Sequence, residues 1–124
     1  MYITGTEDRK TGLKDGTMTP GRNFRITGSR IRIEGTDEKV GISFRSLADD
    51  TVTKVAPDMF GTNNPSELVF IIPASLTEGE YEMTLTTQYS GNTQRFLKTP
   101  RSINRIVYVG AAKGEEGGDR PEIE

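Results

Sequence analysis

An all-β, immunoglobulin-like (Ig-like) Greek-key β-sandwich of about seven strands is predicted by three features of the chain. The first is Leu76-Thr77-Glu78-Gly79-Glu80-Tyr81, which runs into the alternating apolar residues Met83 and Leu85. This is the pattern of a tyrosine corner, whose ring packs inward while its hydroxyl bonds backbone a few residues upstream. The second is composition: sixteen Thr, fourteen Gly and six Pro, with no sustained 3.6-residue apolar period, favour short strands over helices. The third is the recurrence of turn signals about every 8–12 residues.

Tyr2 to Glu7 reads as the first strand, followed by a turn-rich connection from Thr11 to Gly16. In Asn23 to Thr27, Phe24 and Ile26 alternate with Arg25, placing the apolar pair inward and the arginine in water. After Gly28-Ser29, the same alternation predicts a strand over Arg30 to Glu34 with Ile31 and Ile33 inside. Val40, Ile42 and Phe44 define the next strand, Asp49-Asp50 a turn, and Thr51 to Val55 a short strand. Ala56-Pro57-Asp58 and Asn63-Asn64-Pro65-Ser66 are turn punctuation. Leu68 to Ile72 is apolar on both faces, so Val69 and Ile71 require cover from a loop or a partner. Tyr81 to Thr87 should point Tyr81, Met83 and Leu85 inward and Glu82, Thr84 and Thr86 outward. Ser90-Gly91-Asn92 turns the chain into a closing strand, Arg101 to Val109. Residues 1–111 are therefore expected to form one sandwich, and the Gly- and Glu-rich tail 112–124 to be disordered.

The chain has no Cys or His, which removes disulfides, thiol and imidazole catalysis, and the common zinc ligand sets. The longest aliphatic run is too short to span a bilayer. No catalytic residue, metal or cofactor is expected. Gly110-Ala111-Ala112-Lys113-Gly114 lacks the Gly-Lys-Ser/Thr ending of a phosphate loop. The pairs Asp37-Glu38 and Asp49-Asp50 lack calcium-loop spacing. Glu78, Glu80 and Glu82 form a solvated row.

Charge is segregated. The tail from Lys113 carries five acids and two bases, leaving 14 bases against 13 acids in residues 1–112. Thr17 to Ile33 and Met83 to Gly114 contain no acid at all. Their cations Arg22, Arg25, Arg30, Arg32, Arg95, Lys98, Arg101 and Arg105 are candidates for phosphate or partner contacts, against the simpler reading of a solvated strand face.

A family resemblance rests on short segments in a fixed order. They are Lys10-Thr11-Gly12-Leu13, Thr19-Pro20-Gly21-Arg22-Asn23-Phe24, and Ile26 through Ile33. Asn63-Asn64-Pro65-Ser66-Glu67-Leu68, Gly79-x-Tyr81 and Leu97-Lys98-x-Pro100-Arg101 follow. Over most of residues 7–109 the chain resembles the Ig-like C-terminal domain, of unknown function, of Bacteroides-type proteins whose N-terminal half is an HU-like DNA-binding domain. The resemblance implies a non-catalytic accessory or interaction domain, with DNA reached through an HU-like half missing here, further protein partners, and a cytoplasmic, nucleoid-associated setting. The alternative from fold alone is an extracellular or periplasmic adhesion or glycan-binding module.

Overall fold

The computed structural model describes residues 2–90 and 96–110. The tail 112–124, Arg95, and Gly91-Asn92 of the expected turn lie outside the described residues. Among the described residues there are nine strands: β1 (Tyr2–Asp8), β2 (Thr17–Met18), β3 (Asn23–Ser29), β4 (Gly41–Ser46), β5 (Val52–Lys54), β6 (Phe60–Asn64), β7 (Glu67–Ile71), β8 (Gly79–Tyr89) and β9 (Phe96–Val109). One sheet has the order β1-β3-β7-β6 and the other β2-β9-β8-β4-β5. All pairings are antiparallel except β2 with β9. Consecutive strands β3 and β4 fall in different sheets, and β3 pairs instead with β7, which gives the crossed connectivity of an Ig-like sandwich.

The alternation read from the sequence fills the space between the sheets. Phe24 and Ile26 from β3, with Leu68 and Phe70 from β7, meet Ile42 and Phe44 from β4 and Met83 and Leu85 from β8, all fully buried. Phe70 is the central ring, edge-on to Phe24 at 6.0 Å and tilted against Phe60 at 5.5 Å. Val69 and Ile71, on the opposite face of β7, are half-buried.

Two strands were not anticipated. β2 is only two residues long, too short to leave a periodic signal. In β6, Gly61 and two asparagines read as loop chemistry, yet the strand forms because Phe60 packs on Phe70 and the turn after Asn64 returns the chain along β7. Thr86, expected in water on the outer face of β8, is buried and shares a 2.8 Å hydroxyl hydrogen bond with Ser102 on β9.

The expected strand Arg30 to Glu34 is absent: the segment belongs to neither sheet. Its alternation does bury Ile31 and pack Ile33 against the core. Arg30 has φ +56°, which turns the chain out of the β3 ladder, and residues 31–37 then cross between the sheets. Their backbone groups bond to both sides. Ile31 N–H donates to Pro65 C=O at 3.0 Å, and the Asn63 amide exchanges bonds with Ile33 N–H and C=O at 2.8 and 2.9 Å. From the other sheet, Thr87 Oγ1 accepts from Glu34 N–H at 3.0 Å and donates to Arg32 C=O at 2.6 Å. Gln88 Oε1 accepts from the N–H groups of Thr36 and Asp37 at 2.8 and 2.9 Å.

A second buried polar centre fixes the β1–β2 connection. Asp8 is fully buried, and its carboxylate accepts from Thr19 Oγ1 at 2.7 Å, Thr11 Oγ1 at 3.0 Å and Lys10 N–H at 3.2 Å. These bonds replace the water that a buried carboxylate would otherwise lose.

At the β7–β8 connection, Tyr81 is 5% exposed; its hydroxyl donates to Thr77 C=O at 2.7 Å and accepts from Thr77 N–H at 3.0 Å. Leu76 is buried beside it, and Gly79 supplies a φ of +149° at the entry to β8. Tyr81→Phe should cost about 1–2 kcal/mol with the fold retained, because the Thr77 groups lose their partner but lie near enough to the surface to recover some hydration. Urea denaturation checks this; an unchanged midpoint would show that the bond contributes nothing.

Candidate functional site

The candidate cations fall into three groups once placed on the fold. Arg25 stands on the outer face of β3, where its Nε bonds Glu67 on β7 and its Nη1 lies 3.7 Å from Glu7 on β1. The hydrogen bond to Glu67 is the largest influence and raises the guanidinium pKa; desolvation, next in size, opposes it, and the attraction of Glu67 and Glu7 adds to the rise. Arg32 lies in the crossing segment with Nε 3.7 Å from Glu34 Oε1. Both are therefore committed to acids already present.

Arg22 and Arg30 are exposed at the two ends of β3, in a turn and at a positive-φ position. Lys98, Arg101 and Arg105 are exposed along β9, and no ion pair joins them to a described residue. Arg101 and Arg105 oppose Thr87 and Met83, so they sit on the inner face of their sheet rather than the outer one. They reach solvent because β9 is flanked there only by the short β2, paired at Tyr108 and Val109. Arg105 Nη2 donates to Ile3 C=O at 3.1 Å, bridging from β9 to the edge strand of the other sheet. The β1/β9 flank thus carries three of the candidate cations that form no ion pair among the described residues; Arg22 and Arg30, likewise without one, lie at the ends of β3.

The opposite flank, where β5 and β6 form the other two edges, holds a cleft of about 500 Å³ that the sequence reading missed. Ile33, Val40, Val55 and Phe60 line it, with Glu34, Asp37 and Glu38 along its wall. The wall is the crossing segment, so no local periodicity announces the cleft. Its one sequence signal is Gly35: at φ +142°, a Cβ there would meet the Gln88 side chain at 2.4 Å. Arg45, also passed over, binds Glu82 at 3.1 Å and Asp50 on the outer face of β4. Its pKa is raised by the hydrogen bonds to Glu82 and then Asp50. No three His, Cys, Asp or Glu side chains among the described residues are arranged to hold a metal ion, and no described helix is long and apolar enough to cross a membrane.

Two sheets in this order, joined by crossed connections, make the protein an Ig-like β-sandwich. Residues 2–103 match the family described as a domain of unknown function (DUF4469) with IG-like fold, and the chain belongs to that family. No curated protein matches it. A solved structure from Bacteroides vulgatus ATCC 8482, described as a "putative bacterial DNA binding protein", superposes with a TM-score of 0.86 at 45% identity. That match covers 90% of this chain and 48% of the Bacteroides chain, so the present chain accounts for about half the length of its relative.

Gly35→Ala should destabilise the domain by about 1–3 kcal/mol, since the new methyl is both overpacked against Gln88 and strained at positive φ. Thermal unfolding with amide spectra of residues 34–37 checks this; unchanged stability would mean that the wall is loosely held.

Proposed function

We propose that this domain is the non-catalytic accessory half of a DNA-binding protein. It makes a weak backbone contact of its own through the β1/β9 flank and leaves the principal DNA contact to an HU-like half. The observation that carries this reading is the 45% identity, over 90% of this chain, with about half of the Bacteroides vulgatus protein. The electrostatics support the choice of flank. Arg25, Arg32 and Arg45 face carboxylates in the fold, whereas Lys98, Arg101 and Arg105 have none among the described residues. Arg101 and Arg105 are four strand positions apart, about 13 Å along β9. That is close to the roughly 12 Å width of the DNA major groove, so the pair suits phosphates on its two sides. Such contacts position a protein without reading sequence.

Titration with random-sequence duplex DNA tests the proposal. Binding should weaken steeply with salt, with a log-log slope of about −0.9 per phosphate engaged and up to about −3 for three contacts. The combined variant Lys98→Ala, Arg101→Ala, Arg105→Ala should flatten that slope toward zero. An affinity unchanged in the variant, or no binding at low salt, would remove DNA contact from this flank.

A further inference from the structure

The exposed cations of β9 stand beside an edge that the described residues leave open. Tyr108 N–H donates to Gly16 C=O at 2.8 Å, on the side away from β8, and the β8–β9 register runs without a shift from Val109 to Arg101. Backbone groups alternate sides along an antiparallel strand, so those of Ser102 and Asn104 point the same way as those of Tyr108, where no described strand lies beside them. An open edge is a template for another extended segment. Lys98, Arg101 and Arg105 select which segment fits, because they repel a second copy of β9 and attract an acidic chain.

The chain carries such a segment directly after the strand. Residues 113–124 hold Glu115, Glu116, Asp119, Glu122 and Glu124 against Lys113 and Arg120, five acids and two bases for a net charge of −3. Their spacing mirrors that of the cations about Gly110. Arg105, Arg101 and Lys98 lie five, nine and twelve positions before it, and Glu115, Asp119 and Glu122 lie five, nine and twelve positions after it. Gly110 itself has φ +98°, a left-handed conformation that turns the chain out of the line of β9. Extended chain advances about 3.3 Å per residue in either direction, so a segment returning from Gly110 brings each acid level with its cation. Ala111 and Ala112 then fall level with Val109 and Tyr108, where β2 occupies the edge, and their small side chains let the chain pass. Single exposed ion pairs are weak. The tether offsets this, since a short linker holds the two partners at an effective concentration in the millimolar range.

We propose that residues 113–124 fold back antiparallel along the open edge of β9, with Glu115, Asp119 and Glu122 on Arg105, Arg101 and Lys98. Resting on the DNA reading above, the docked segment covers the same three cations that would meet phosphates, so the domain's own contact is available only when the segment is displaced.

The chain has no cysteine, so Ile123→Cys places a single nitroxide on the segment, level with Leu97 in the folded-back arrangement. Amide spectra of the full chain should show paramagnetic broadening centred on Leu97, Lys98 and Arg101. It should fall away as salt is raised, and in the combined variant Lys98→Ala, Arg101→Ala, Arg105→Ala. Broadening centred instead on Glu78, Gly79 and Thr17, beside the root of the segment, would overturn the proposal. So would broadening of β9 seen only between chains, when nitroxide-bearing chain is mixed with isotope-enriched unlabelled chain, since that assigns the acids to a second copy. With random-sequence duplex DNA at low salt, the combined variant Glu115→Gln, Asp119→Asn, Glu122→Gln should bind about fourfold more tightly, the gain for a flank covered about three-quarters of the time. An unchanged DNA affinity alongside broadening at β9 would overturn the covering of the DNA contact. Broadening at β9 with no DNA binding by either chain would uphold the fold-back and remove the DNA reading alone.

Discussion

The structure depends on how one stretch of backbone, residues 31–37, is satisfied without belonging to a sheet. Each peptide group in it must find a partner, because an unpaired buried N–H or C=O costs about as much as a lost hydrogen bond. Asn63 reaches it from β6, and Thr87 and Gln88 reach it from β8, so three side chains act as the missing neighbouring strands. Thr87 and Gln88 are themselves buried, which keeps water from competing for these bonds. The crossing seats Ile31 in the core, carries the chain from one sheet to the other, and forms the wall of the cleft. Fold and cleft therefore share the same few hydrogen bonds.

The placement of charge follows from the same architecture. On the outer faces, cross-strand neighbours put Arg25 beside Glu67 and Arg45 beside Glu82, and these pairs neutralise the broad surfaces of both sheets. Other charges lie on the two flanks where strand edges meet. Arg101 and Arg105 on β9 face the edge of β1, while Glu34, Asp37 and Glu38 lie beside the edges of β5 and β6. Pro100 and the neighbouring cations also blunt the long open edge of β9, since a proline and repelling charges disfavour pairing with another strand.

Much of this was legible in the sequence wherever a pattern is local. The alternation in β3, β4, β7 and β8 named the core residues except Val40, which precedes β4 and lines the cleft, and the spacing of Leu76, Gly79 and Tyr81 located the β7–β8 connection. The alternation of Ile31 and Ile33 identified the buried side chains but not their hydrogen-bond partners, because a ladder and a set of side-chain clamps leave the same inward-outward pattern. Asp8, just past the expected first strand, carried no reading from the sequence and is the buried acceptor for two threonines. The candidate cations were legible as a list, whereas their grouping was not: pairing with acids 42 residues away, as Arg25 does with Glu67, depends on strand register. The cleft, assembled from segments in both halves of the chain, left only a glycine as its trace.

The central claim, that side-chain clamps hold the crossing segment as one unit, is tested most directly by native-state hydrogen exchange on Thr87→Val. The substitution keeps the shape of the side chain and removes the hydroxyl that serves Glu34 N–H and Arg32 C=O. Exchange at Ile33, Glu34, Thr36 and Asp37 should then accelerate together by about tenfold or more, as expected for opening of one cooperative element, with Met83 and Leu85 remaining the most protected. Acceleration confined to Glu34, or none, would contradict the account.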